Sequence, residues 1–317
     1  MDDTRRAAER PERNRSFGHG RDSFEPLGPE CTRVAIKPSM VPAELEKVAG
    51  LLHGRPYVTL HCHSSSRPDL EFLKHFPFVR RLSVHLWNIE DIRGFSYLHN
   101  SLELLSFGCT QKRFSLKFLQ DMPALETLFL EGHTKDIASV SRLSRLGSLG
   151  LKRITLPDLS LLGSLRELTR FSLSFGGTRD LAHLVELPKL EALSVLRVNK
   201  LDELSILAKL TSLKTLDLDA MRNITCLPSL DALTRLEEVT LETMKGLTEL
   251  SALAAAPALR QLTIAGMPQL DVDAFRCLAG HPSLQELRLW SNLGGTMSLR
   301  KSVHDAVRQL LPDVTKT

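Results

Sequence analysis

The chain has 317 residues, 42% of them hydrophobic and 25% charged, which places it among globular proteins and excludes a wholly disordered chain. Its 41 cations and 37 anions leave a formal charge of +4, too near balance to support nucleic-acid binding, which calls for a concentrated basic stripe. Five cysteines (Cys31, Cys62, Cys109, Cys226 and Cys277), odd in number and without CxxC spacing, argue against a disulfide framework. The N-terminus is charged and lacks the apolar core of a secretory signal, and no stretch approaches 18 apolar residues. A cytoplasmic location is expected, and the excess of arginine over lysine suggests a GC-rich bacterial source.

In chain order, residues 1–30 come first, rich in Arg, Asp, Glu, Pro and Gly and poor in aliphatics; a disordered tail is expected there. Its six arginines are matched by seven acids, which argues against a nucleic-acid arm. Residues 31–56 read as an N-terminal cap. Cys31, Val34 and Ile36 make a strand, and Pro42 to about His53 makes a helix with Leu45, Val48 and Leu52 on one face and Gly54 after it.

From residue 57 to about 297 the pattern LxxLxL recurs, from Tyr57/Leu60/Cys62 and Val79/Leu82/Val84 through Leu125/Leu128/Leu130 and Leu213/Leu216/Leu218 to Leu284/Leu287/Leu289. Successive first positions lie 22, 23, 23, 21, 22, 22, 23, 23, 23 and 25 residues apart, which marks 10–11 stacked units. Within each, alternating apolar residues predict a short strand. A second apolar series, such as Leu201, Leu204, Leu207 and Leu210, predicts a short helical or 3₁₀ return. Pro77, Pro123, Pro188, Pro257 and Pro282 stand two residues before the next unit, where a helix must end. Residues 298–317 read as a C-terminal cap, with Ser298 capping a helix that runs to Leu311.

These units resemble the leucine-rich-repeat superfamily, nearest in length to its SDS22-like and internalin-like classes and of bacterial cytoplasmic type. The resemblance implies an α/β solenoid: a curved arc with a parallel sheet on the concave face, short helical or 3₁₀ segments on the convex face, and helical caps. The family usually places Asn just after the strand; here Ile154, Val198, Met221, Met244 and Met267 fall there, so a turn held by packing is expected.

Residues between the leucines should point out of the concave face. The fifth position of each unit reads His61, Ser83, Ser106, Phe129, Gly150, Ser172, Ser194, Asp217, Thr240, Thr263 and Arg288, a floor of mostly small hydroxyls. Arg80, Arg81 and Arg170 add positive charge to this face. Asp217, Asp219, Glu237, Glu238 and Glu242 form an acidic patch on adjacent strands, with Lys214 and Arg260 expected to flank Glu237. Phe129, Phe175 and Trp290, with Trp87 and Leu196, are candidate apolar anchors. His61, His63 and His85 fall close enough on adjacent strands to be weighed as zinc ligands.

No Walker loop, GxSxG or HExxH occurs, and no cofactor is expected. The reading that follows is a non-catalytic protein-binding scaffold (adaptor, inhibitor or immunity-type protein) whose partner carries a basic surface. No membrane and no small-molecule substrate are implied. Two other classes stand beside it: a metal-dependent enzyme or sensor using the histidines, and nucleic-acid binding through Arg80, Arg81, Lys152, Arg153 and Arg170.

Overall fold

The computed structural model describes residues 14–16, 24–37, 39–64, 68–198, 200–290, 301–312 and 314–316. Ser298 and Asn199 lie outside them, as does most of the segment expected as a tail. The chain forms two compact units, Met1–Leu146 and Gly147–Thr317.

Among the described residues the first unit carries six parallel strands: β1 (Asn14–Ser16), β2 (Arg33–Ile36), β3 (Thr59–Ser64), β4 (Arg81–Leu86), β5 (Leu104–Phe107) and β6 (Thr127–Glu131). They pair in sequence order, so Val34, Leu60, Leu82, Leu105 and Leu128 lie side by side. These five are 0% exposed. Inside the segment expected as tail, β1 pairs with β2, and Leu27 is buried. Helix α1 (Pro42–Leu52) starts where Pro42 fixes φ and the Glu44 carboxylate accepts from the Val41 N–H at 3.0 Å. It ends before Gly54, which sits at φ +77°. Its Leu45, Val48 and Leu52 are buried, and it packs against the 3₁₀ segment Glu71–His75.

The second unit carries β7 (Ser148–Lys152), β8 (Arg170–Ser174), β9 (Ala192–Leu196), β10 (Thr215–Asp219), β11 (Glu238–Glu242), β12 (Gln261–Ala265), β13 (Glu286–Trp290) and β14 (Thr315–Lys316), again parallel and in order. Between them run 3₁₀ segments such as Ala182–Glu186 and Ser205–Lys209, and the short helices α2 (Ser251–Ala254) and α3 (Val272–Phe275). Pro188 and Pro257 follow the ends of such segments, as expected of a residue that cannot continue a helix. Helix α4 (Lys301–Leu310) packs on α3, burying Val307, and His304 Nε2 lies 3.2 Å from the Leu289 carbonyl oxygen. No helix among the described residues is long and apolar enough to cross a membrane.

The turns after the strands are built differently from the packing-only expectation. Ile154, Val198, Met221, Met244 and Met267 are indeed buried. In addition, the residue directly after each strand from β7 to β12 has positive φ: Arg153, Phe175, Arg197, Ala220, Thr243 and Gly266. The first five donate their N–H to the carbonyl that ends the neighbouring strand: Arg153 to Ser174, Phe175 to Leu196, Arg197 to Asp219, Ala220 to Glu242, and Thr243 to Ala265, at 2.8–2.9 Å. A backbone ladder therefore does the work of the missing Asn amides. It holds five non-glycine residues in the left-handed region, at about 1–2 kcal/mol each. Replacing Ala220 with glycine relieves that strain and loses some of the gain to chain entropy. A net stabilisation of about 0.5–1 kcal/mol in urea unfolding is expected, and a destabilised Ala220→Gly would contradict the ladder.

Candidate functional site

Alternation along each strand turns every second side chain away from the core, and the pairing brings equivalent positions into rows, in which Ser83 alone of the hydroxyl residues is buried. In the second unit the middle row is Gly150, Ser172, Ser194, Asp217, Thr240, Thr263 and Arg288. In the first it is Ala35, His61, Ser83, Ser106 and Phe129. The apolar residues on either side are buried, so within each unit these rows form the solvent face of the sheet.

The acidic residues separate into two groups. Asp219 and Glu242 are direct partners on β10 and β11, with Asp217 one position away on the same face. Burial, then the charges of Glu242 and Asp217, push the Asp219 carboxyl up to about 6, against the opposing pull of Arg197. Asp217 accepts from the Ser194 hydroxyl at 3.0 Å. Glu238 is partnered with Thr215 instead, four residues from Glu242 and so roughly 13 Å along the strand. Glu237 precedes β11 and is exposed. The Lys214 ammonium expected beside it lies 2.8 Å from Glu191, which also pairs with Arg235. The charge repulsion that sequence spacing suggested for five carboxylates is thus concentrated on three.

The cations are dispersed. Arg80 precedes β4 and is paired with Glu103 at 2.6 Å. Arg81 and Arg170 open β4 and β8 and lie in different units. Arg288 is held by Glu286 on its own strand at 2.8 and 3.0 Å. Of the apolar candidates, Trp87 (50%), Phe129 (43%) and Phe175 (43%) are exposed. Trp290 belongs to β13, but its side chain lies outside the described residues. Phe175 follows β8 with φ +55°, and the Arg197 guanidinium sits over its ring at 5.5 Å.

The three histidines do come together, with His63 and His85 paired across β3 and β4. Their rings meet edge-on and tilted, with His61 at the centre. His61 meets the rings of His63 and His85 at 5.3 and 5.7 Å, and His85 Nε2 turns to the Ser106 hydroxyl at 3.4 Å. Among the described residues no group of three His, Cys, Asp or Glu is arranged to hold a metal ion. Burial and the adjacent His63, His85 and Arg33 charges lower the His61 pKa to about 4.

One histidine escapes a strand-by-strand reading. His133 is buried, stacked on Phe107 at 4.1 Å, with Nε2 3.0 Å from the Gly108 carbonyl oxygen and Nδ1 without a hydrogen-bond partner among the described residues. Burial lowers its pKa. It occupies the ninth position of its unit, where Ile154, Val198 and Met221 stand in others, so its inward placement could have been read from the repeat register.

No family model and no curated protein sequence matches the chain. Solved structures do. An internalin from Listeria monocytogenes superposes with a TM-score of 0.55 at 15% identity, over 90% of this chain and 86% of that one. Toll, in the Toll–Spätzle complex from Drosophila, superposes with a TM-score of 0.52 at 14% identity, over 90% of this chain and 43% of that one. A leucine-rich-repeat protein of Leptospira interrogans gives 0.48 at 15% identity, over 91% and 90%. At such identities the likeness to the first two is one of fold, and with the parallel strands and short helical returns it makes the chain an α/β leucine-rich-repeat solenoid.

Proposed function

We propose that the chain is a non-catalytic, cytoplasmic protein-binding scaffold of bacterial type, an adaptor, inhibitor or immunity-type protein. In this reading the solvent face of β8 to β12 takes a partner with a basic surface. The observation that carries it is the Asp217–Asp219–Glu242 group. A carboxyl pushed up to about 6 by burial and like charge is one that a partner's cation would return to its ordinary range. Around it, Ser172, Ser194, Thr240 and Thr263 are short enough to let a backbone approach and carry hydroxyls to bond it. Toll, of the same fold, is a protein found in complex with a protein, Spätzle, which supports a protein as the ligand class.

Two measurements on a partner captured from the native cell test this. Reversal of Asp217 and Glu242 to lysine is expected to slow association several-fold at low salt, the difference shrinking at high salt. Binding a cation at Asp219 releases its proton, so affinity should rise with pH below 6, by at most about tenfold per pH unit. A rate unchanged by the reversal would remove the acidic group from the interface.

A further inference from the structure

On the second unit, the turns after β8 to β11 enclose a depression of about 530 Å³ beside the strand face, lined in part by Phe175, Arg197, Ala220, Arg222, Asn223 and Lys245. Its size is that of a small-ligand site. The floor follows from the left-handed row. Ala220, with nothing beyond its Cβ, leaves a gap between Arg197 and Thr243, which follow the neighbouring strands.

The rim is basic for a reason that lies in the repeat. Arg222 and Lys245 stand three residues after the paired strand ends Asp219 and Glu242, at the same position of successive units. Each belongs to a turn closed by a backbone hydrogen bond, Ile224 to Met221 and Leu247 to Met244. A Cβ on Gly246 would come within 2.6 Å of the Ile224 carbonyl oxygen and 3.2 Å of that of Arg222. The second turn therefore lies directly on the first, which glycine alone permits, and the two cations are held about one strand spacing apart, roughly 5 Å between backbones.

Both side chains are exposed, and neither makes an ion pair among the described residues. Arg197 adds a third positive charge at the same hollow, its guanidinium against Phe175. Adjacent unneutralised cations repel one another, and a multiply charged oxyanion relieves this more fully than a single carboxylate does. At the far end, the exposed Phe175 ring, carried on a left-handed backbone, offers a flat apolar wall.

We propose that this depression binds a phosphate monoester. The phosphoryl oxygens sit over Ala220 between Arg197, Arg222 and Lys245, and the organic part of the ester lies toward Phe175. The site goes beyond the strand-face reading, because its ligand class carries the opposite charge and its residues belong to the turns.

Calorimetric titration of the full chain with inorganic phosphate and with phenyl phosphate, at matched ionic strength, tests it. Phenyl phosphate is expected to bind several-fold more tightly than inorganic phosphate. The pair Arg222→Gln and Lys245→Gln should weaken both at least tenfold while leaving the ligand-free melting temperature unchanged. Phe175→Ala should erase the preference for the phenyl ester. Phosphotyrosine peptide and a nucleoside monophosphate, titrated in parallel, separate a phosphorylated protein side chain from a free ester as the source. Equal binding by the parent chain and the double variant, or no binding of phenyl phosphate at millimolar concentration, would overturn the proposal.

Discussion

Leu241→Ala is expected to destabilise the second unit by about 2–5 kcal/mol, while Thr240→Ala, one residue earlier, changes stability by no more than about 0.5 kcal/mol. Leu241 is 0% exposed and lies between Leu218 and Ile264 on the neighbouring strands, both also 0% exposed. Truncation there removes buried apolar surface and leaves a cavity that parallel strands on both sides cannot collapse to fill. Thr240 points the other way, in the row between Asp217 and Thr263. Urea unfolding of the two variants reads the contrast directly. Equal losses would mean that the side chains do not alternate between core and solvent face, and the account of that face would go with it.

Acid is expected to weaken the first unit selectively, through His61 and His133. The His61 pKa falls from 6.5 to about 4 on folding, so between those values the unfolded chain binds more protons than the folded one. Its contribution is therefore fully present above pH 6.5, declines as pH falls, and is gone below about 4. The imidazole is about half screened by solvent, which reduces the linkage to roughly 1–2 kcal/mol. His133 acts in the same direction, because protonating its Nδ1 would place a charge on a buried nitrogen that has no acceptor. Asp219 in the second unit acts oppositely. Its raised pKa favours the folded state below about 3.8, and that advantage is lost as pH rises through about 6. Urea midpoints between pH 7 and pH 4.5 should therefore fall for the parent chain and fall less for His61→Ser, which places a hydroxyl in a row already containing Ser83 and Ser106. A His61→Ser variant whose midpoints fall as far as those of the parent chain would show that His61 is not held neutral by its surroundings.

The fold could be read from the sequence because burial in a stack repeats. Each leucine at the fourth and sixth positions of a unit serves the same layer, so the periodicity of Leu128, Leu149 and Leu216 alone states which side chains face in. What resisted reading depends on geometry that residue type does not encode. Arg153, Phe175 and Thr243 are poor advertisements for a left-handed backbone, and only the bonds to the next strand explain why they adopt it. The five acids look like one patch when counted by strand, yet Glu238 and Glu242 point the same way roughly 13 Å apart. The basic hollow escaped notice because Arg222 and Lys245 lie beyond the strands, in turns whose close stacking rests on a glycine in one unit and a carbonyl in another.

The left-handed row also bears on how such a chain can change over time. Since the bend after each strand is secured by main-chain atoms, the side chain carried there is released from any duty to the frame. Arginine, phenylalanine, alanine and threonine already occupy equivalent places in consecutive units. One margin of the sheet is thereby left as a run of interchangeable slots, in which recognition chemistry can be rewritten a residue at a time while the scaffold underneath stays as it was.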